Sequence, residues 1–226
     1  MSQRKYLTQS EVERLLQQAL AGKNAERDYC LIYMSFIHGF RVSEACQLRL
    51  SDLDLRGRCL YIRRIKSGFS TNHPLLHDEL RAIRAWLAVR AGLRGGDSDW
   101  LFLSRQGNAL TRQRVYQIIS QLGRDAGISV EPHPHMLRHA CGFALADRGI
   151  DTRLIQDYLG HKNIRHTVRY TASNAARFEG VWHRLKNKQK SRQLGPNCKT
   201  VYSNRLKNPH FSLKKMPEQI YLSKNQ

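Results

Sequence analysis

Apolar residues recur at helical spacing over most of this chain, and the spacing shortens towards two in a single region. Residues 7–20, LTQSEVERLLQQAL, place Leu15, Leu16 and Leu20 on one stripe. Ser10, with Glu13 three residues on, supplies a capping signal ahead of them. Residues 26–39, ERDYCLIYMSFIHG, are apolar almost throughout and predict a buried central helix ended by Gly39. Ser43 stands where it would cap a short helix in RVSEACQLRLSDL. From Cys59 the pattern alternates: CLYIRRI (59–65) and STNHPLL (70–76) read as strands joined by a hairpin tip, KSGF. Helical spacing returns over 77–93, 111–127, 135–149 and 151–161. The expectation is a mainly α fold with a small antiparallel β-sheet near its N-terminal third, without internal repeats.

Composition sharpens this picture. A hydrophobic content of 41% in 226 residues is that of a folded protein with a proper core. Lys and Arg number 38 against 18 Asp and Glu, a formal charge of +20. Such self-repulsion points to a polyanionic partner, with nucleic acid ahead of an anionic membrane surface. The N-terminus, MSQRKYLTQSEVERLL, lacks the apolar segment of a signal peptide, and the run CLIYMSFIHGF (30–40) is too short to span a bilayer. Cys30, Cys46, Cys59, Cys141 and Cys198 are odd in number and widely spaced, as expected of reduced thiols in a cytoplasmic protein. Past FEGVWHRL the character changes: residues 183–226 carry eleven Lys or Arg and one acidic residue, Glu218. The expected organisation is therefore a folded domain over 1–182 and a basic, flexible tail over 183–226.

The stretch EPHPHMLRHACGFALADRG (131–149) concentrates the candidate chemistry. It admits three readings: a metal site through His133, His135 and His139, an anion-binding helix start, or an ordinary polar helix end. The metal reading is the weakest, because Glu131 is the one carboxylate nearby and Arg138 would sit beside the cation. A phosphoryl-transfer site is chemically apt. Arginine is planar, permanently charged and able to bind two phosphate oxygens at once. His135 and Arg138, at i and i+3, share a face near a helix N-terminus, and Pro134 suits the first turn. Taken alone, this stretch leaves the choice open.

Three further stretches narrow it. HGFRVSEACQL holds Arg41, RIKSGFS holds Lys66 at the hairpin tip, and LGHKNIRHTVRYTAS holds His161 nine residues before Tyr170. In this ordered set the chain resembles the catalytic domain of the tyrosine recombinases, the phage-integrase family. That family's pattern runs Arg, a hairpin Lys, His-x-x-Arg, a His or Trp in an LGH motif, and then Tyr. The resemblance covers about residues 5–182. The chain begins almost directly with LTQSEVERLL and so resembles the short members, above all the fimbrial phase-variation recombinases that invert a promoter segment. IKSGFSTNHPL and ARFEGVW lie closest to that subgroup.

The resemblance implies the DNA breaking-rejoining fold and a transesterification that uses no cofactor and no metal. It makes Tyr170 the nucleophile and Arg41 and Arg138 the phosphate clamp. Lys66 becomes the acid for the leaving 5′-oxygen, His135 the aid to proton removal, and His161 a phosphate hydrogen-bonder. Glu44, three residues after Arg41, either orients that arginine or is a surface carboxylate. His133 and His139 are left as helix-end or packing residues, because Arg138 already follows His135 at the required spacing.

For contacts with DNA the candidates are Ser67 and Phe69 beside the hairpin tip, and Arg112, Gln113 and Arg114 at the start of a basic helix. The implied partners are double-stranded DNA at paired sites, further copies of the chain in a tetramer, and DNA-bending accessory proteins, with no membrane. Two other functions compete: a relaxing type IB topoisomerase and a non-catalytic DNA-binding regulator. Integration or excision of a mobile element is the alternative to inversion. The target sequence is not legible.

Overall fold

A computed structural model describes residues 4–64 and 70–172. The hairpin tip with Lys66, Ser67 and Phe69, and the boundary at residue 182 with the basic tail beyond it, lie outside these residues.

Eight α-helices, one turn of 3-10 helix (Leu50–Asp52) and one sheet make up the described part. Helix α1 (Gln9–Leu20) starts one signal earlier than expected: Thr8, not Ser10, is the cap. Thr8 accepts from the Glu11 amide at 3.3 Å while the Glu11 carboxylate takes the Thr8 amide at 2.8 Å. Arg4 then forks onto the same carboxylate, which explains why Glu11 outcompetes Glu13. Helix α2 (Ala25–Ile37) is buried on nearly all sides and packs against α1, α4 and α6. Each of Leu31, Ile32, Met34 and Phe36 is at most 3% exposed, worth about 1.5–3 kcal/mol apiece in apolar burial.

The short helix α3 (Val42–Cys46) also moves its cap, from Ser43 to Arg41. Glu44 at its third position reaches back to the Arg41 amide at 2.9 Å, so the carboxylate rather than a serine hydroxyl closes this terminus. The sheet has three antiparallel strands: β1 (Leu53–Asp54), β2 (Cys59–Ile62) and β3 (Thr71–Pro74). β2 and β3 are shorter than the apolar runs that announced them, and the two-residue β1 carries no periodicity to announce it. Leu60 pairs with both Leu53 and His73 across the sheet.

Helices α4 (His77–Arg90), α5 (Arg112–Asp125), α6 (Pro134–Asp147) and α7 (Thr152–Leu159) fall where the spacing placed them. Thr111 caps α5, Pro134 occupies the first turn of α6, and Asp151 caps α7 through the Arg153 and Leu154 amides. A further helix, α8 (Arg165–Ala172), packs on α6 and α7 and carries Tyr170. The sheet is fastened to the helices by a buried polar chain. His38 at the end of α2 meets Glu79 of α4 at 2.5 Å and His73 of β3 at 3.1 Å. No described helix is long and apolar enough to cross a membrane.

Candidate active site

The turn after α2 builds the first wall of the site. Gly39 adopts φ +58°, and a Cβ there would run into Leu159 of α7 and come within 3.2 Å of the Cys141 sulfur. Only glycine satisfies both demands. Its carbonyl accepts from Arg138 Nη1 at 2.5 Å, and Arg138 Nη2 donates to the Leu159 carbonyl at 2.7 Å. Arg138 is thus pinned between the ends of two helices, with 1% of its surface exposed. Burial, and after it the Arg41 charge, push its guanidinium down to about 10, so it remains cationic at neutral pH.

Arg41 faces it from the start of α3. Its Nη1 donates to Glu44 Oε1 at 2.7 Å and its Nη2 to the Gly160 carbonyl at 3.4 Å, while the side chain keeps 23% exposure. Glu44 is 1% exposed, so the surface reading of that carboxylate is corrected: it orients Arg41 from inside the fold. The buried Arg138 and the partly exposed Arg41 thus donate to consecutive carbonyls, Leu159 and Gly160, and lie near enough to feel each other's charge, a pairing suited to an anion with two oxygens to bind.

Helix α6 carries the rest. His135, in its first turn, keeps one part in solvent and packs the other edge-on against His139 one turn later at 4.4 Å. Burial, and then the neighbouring Arg138 charge, hold His135 below the usual imidazole range. One further turn on, Gly142 leaves room for the ring of Tyr170: a Cβ there would approach ring carbons at 2.6–2.8 Å. Phe143 closes the side of this seat edge-to-face at 5.1 Å.

Tyr170 is 1% exposed and belongs to an apolar cluster with Cys141, Ala146, Ile155 and Leu159. Its hydroxyl meets His139 Nδ1 at 2.9 Å. His139, which spacing alone consigned to packing, is thus bonded to the candidate nucleophile. Burial, and then the charge of His135, push His139 down to about 3, so it is neutral. Burial also raises the Tyr170 phenol above its ordinary value, keeping the proton on oxygen at rest.

His161 follows the left-handed cap Gly160 and stacks nearly parallel to Tyr170 at 6.2 Å. Its Nδ1 bonds Thr167 Oγ1 at 2.9 Å, which fixes the ring's orientation. Burial, and then Arg138, push it down to about 3. Arg41, His135, Arg138, His161 and Tyr170 are thus brought together around α6 and the end of α7. The two arginines beside Lys66 are already engaged. Arg63 pairs with Asp52 at 2.8 Å, and Arg64 is buried against Glu44 at 2.7 Å.

Arg112, Gln113 and Arg114 are exposed along the first turn of α5. Arg112 and Gln113 line an open groove of about 520 Å³ together with Tyr116, His133 and His135, so the candidate DNA-contact helix borders the candidate catalytic helix. His133 stacks parallel to Tyr116 at 6.2 Å, and among the described residues no group of three or more His, Cys, Asp or Glu is arranged to hold a metal.

Sequence relationships agree with this geometry. Residues 5–177 match the model of the phage integrase family. The type 1 fimbriae regulatory protein FimB of Escherichia coli K12 is 60% identical over 187 residues, 83% of this chain and 94% of FimB. FimE of the same strain is 56% identical over 185 residues, 81% of this chain and 93% of FimE. The crystal structure of XerA recombinase superimposes with a TM-score of 0.68 at 26% identity, over 87% of this chain and 68% of XerA.

Proposed function

Since this chain belongs to the phage integrase family, we propose that it is a site-specific DNA recombinase of the fimbrial type, which cuts and rejoins paired sites to invert a promoter segment. The observation that carries this reading is the convergence of Tyr170, His139, His135 and Arg138 on one face of α6, beside Arg41 and His161.

Tyr170 attacks the scissile phosphate, forming a phosphotyrosyl link to the 3′ side while the 5′-oxygen leaves as a hydroxyl. The bond energy stays in the enzyme–DNA link, so religation needs no external energy source. Arg41 and Arg138 take the non-bridging oxygens, where negative charge grows in the transition state. Their backbone and Glu44 bonds hold them in place beforehand, which limits the reorganisation required during the reaction.

A phenol raised by burial must lose its proton as it attacks. His139 is bonded to that hydroxyl, and His135 stands one helical turn nearer the opening as the next acceptor. Phosphate binding offsets the surrounding positive charge and makes both imidazoles better acceptors. His161, held through Nδ1, presents Nε2 to a phosphate oxygen. Lys66 donates the proton to the leaving 5′-oxygen.

The partner is double-stranded DNA at two sites, engaged by four copies of the chain, with DNA-bending proteins assisting synapsis. Arg112, Gln113 and Arg114 contact the duplex from α5, Ser67 and Phe69 contact it beside the hairpin tip, and the tail's eleven basic residues add attraction to phosphates.

The test is an orientation assay. The chain is expressed in a fimbriate enterobacterial host stripped of its own fimbrial recombinases, and the orientation of the fimbrial promoter segment is read by amplification across its ends. Mixed orientations with the wild type, and a locked population with Tyr170→Phe, are expected. Inversion that survives Tyr170→Phe, or DNA binding without rearrangement, would overturn the proposal.

A further inference from the structure

Three consecutive carbonyls at the end of α7 each receive an arginine from a different element. Tyr158 accepts from Arg64 Nη2 at 2.6 Å, Leu159 from Arg138 Nη2 at 2.7 Å, and Gly160 from Arg41 Nη2 at 3.4 Å. The last turn of α7 has no basic residue of its own, so its partial negative charge is met by cations from outside the helix. Arg41 and Arg138 are phosphate-clamp candidates. Arg64, two residues beyond β2, has no place in the catalytic pattern.

Its surroundings give it one. The Arg64 side chain is 0% exposed. Its stem lies against Gly160, where a Cβ would fall 2.9 Å from Nε. Nη1 donates to Glu44 Oε2 at 2.7 Å, while the other oxygen of Glu44 takes Arg41 Nη1 at the same distance. One buried carboxylate is therefore shared between a partly exposed arginine and a fully buried one. Without Arg64, Glu44 keeps its bonds to Arg41 itself, the amide at 2.9 Å and Nη1 at 2.7 Å, and loses the bond that ties the carboxylate, and with it the Arg41 side chain, to the rest of the fold.

We propose that Arg64 is a positioning residue of this active site: by gripping Glu44 and the Tyr158 carbonyl, it sets the angle at which Arg41 meets the scissile phosphate. The inference rests on the recombinase reading of the site.

The test uses the full chain and a nicked duplex spanning a cleavage site recovered from wild-type covalent adducts. The duplex is made in two forms. One carries the ordinary phosphodiester, and the other a methylphosphonate at the scissile position, where a neutral methyl replaces a charged oxygen. Arg64→Gln and Arg64→Lys are compared with wild type for DNA affinity, melting temperature and single-turnover adduct formation. Arg64→Lys keeps a charge for Glu44 and guards against a variant that fails to fold.

On the phosphodiester, Arg64→Gln is expected to form adduct about 10²-fold more slowly at near-wild-type affinity, the usual consequence of an ångström-scale misplacement. Arg64→Lys is expected to lose less. On the methylphosphonate, where less charge awaits Arg41, the deficit of Arg64→Gln should shrink at least about tenfold. A merely structural role would slow both substrates alike, and that result, or the absence of any deficit, would overturn the proposal. A wild type that forms no Tyr170-dependent adduct on either duplex would instead overturn the recombinase reading itself.

Discussion

His139 Nδ1 lies 2.9 Å from the hydroxyl of Tyr170, with His139 6% and Tyr170 1% exposed. A neutral imidazole accepting from a neutral phenol is the state that both shifts favour. His139→Ala leaves the buried hydroxyl unpaired, at a cost of about 1–3 kcal/mol. If that loss is carried into the transition state, single-turnover adduct formation should fall by roughly 5- to 160-fold. His139→Gln, whose amide oxygen accepts, should recover part of the loss. Unchanged rates in both variants would remove His139 from the chemistry.

Gly142 is the floor of the tyrosine's seat. A glycine inside a helix costs about 0.5–1 kcal/mol relative to alanine, so Gly142→Ala should help α6 in isolation. In the folded protein the new methyl meets the Tyr170 ring at 2.6–2.8 Å. Overpacking of this kind costs about 1–3 kcal/mol and moves the ring. DNA binding should persist while covalent cleavage drops by about 10²-fold or more. A variant as active as wild type would mean that α6 and α8 separate easily.

Stability should fall in mild acid. His73, His139 and His161 are each pushed down to about 3, by burial first, and then by His38, His135 and Arg138 respectively. In the unfolded chain each titrates near 6.5. Between about 3 and 6.5 the unfolded state binds protons that the folded state refuses, so stability is complete above that window and is lost as pH drops through it. Each such histidine contributes a slope of up to about 1.4 kcal/mol per pH unit. Denaturant titrations at pH 7.5 and 5.5 should show a lower midpoint at 5.5. Equal midpoints would contradict the burial of neutral imidazoles.

Basic groups outside the catalytic pocket should register in the salt dependence. Replacing Arg112 and Arg114 together, or removing residues 183–226, should lower affinity for DNA and flatten the slope of log K against log salt. Each lost phosphate contact flattens it by about 0.9. Unaltered slopes would show that these residues do not meet phosphates.

Much of this architecture was legible from residue spacing alone. Helices α2, α4, α5, α6 and α7 follow from long apolar stripes, and the family resemblance rests on the ordered set Arg41, Lys66, His135, Arg138, His161 and Tyr170, of which Lys66 lies outside the described residues. The misses have physical causes. Thr8 and Arg41 displace Ser10 and Ser43 as caps because the buried carboxylate of Glu11 or Glu44 is also gripped by an arginine outside the helix, Arg4 or Arg64. β1 is too short to show a period. Spacing reports which residues share a helix face, whereas the His139 bond to Tyr170 depends on α8 folding back onto α6, which spacing does not show. Gly142 carried one readable signal, an interior glycine in a helical run, and α8 itself lacked a pattern long enough to announce it.

The central claim is that Tyr170 becomes covalently bound to DNA at specific sites. Wild type and Tyr170→Phe are expressed in cells, lysed rapidly in denaturant, and the DNA that stays attached to protein is sequenced. Adducts at a small number of paired sites, joined through a 3′-phosphate and absent with Tyr170→Phe, are the predicted result. Adducts that persist without Tyr170, or specific DNA binding with no adduct even on nicked duplexes that block religation, would contradict it.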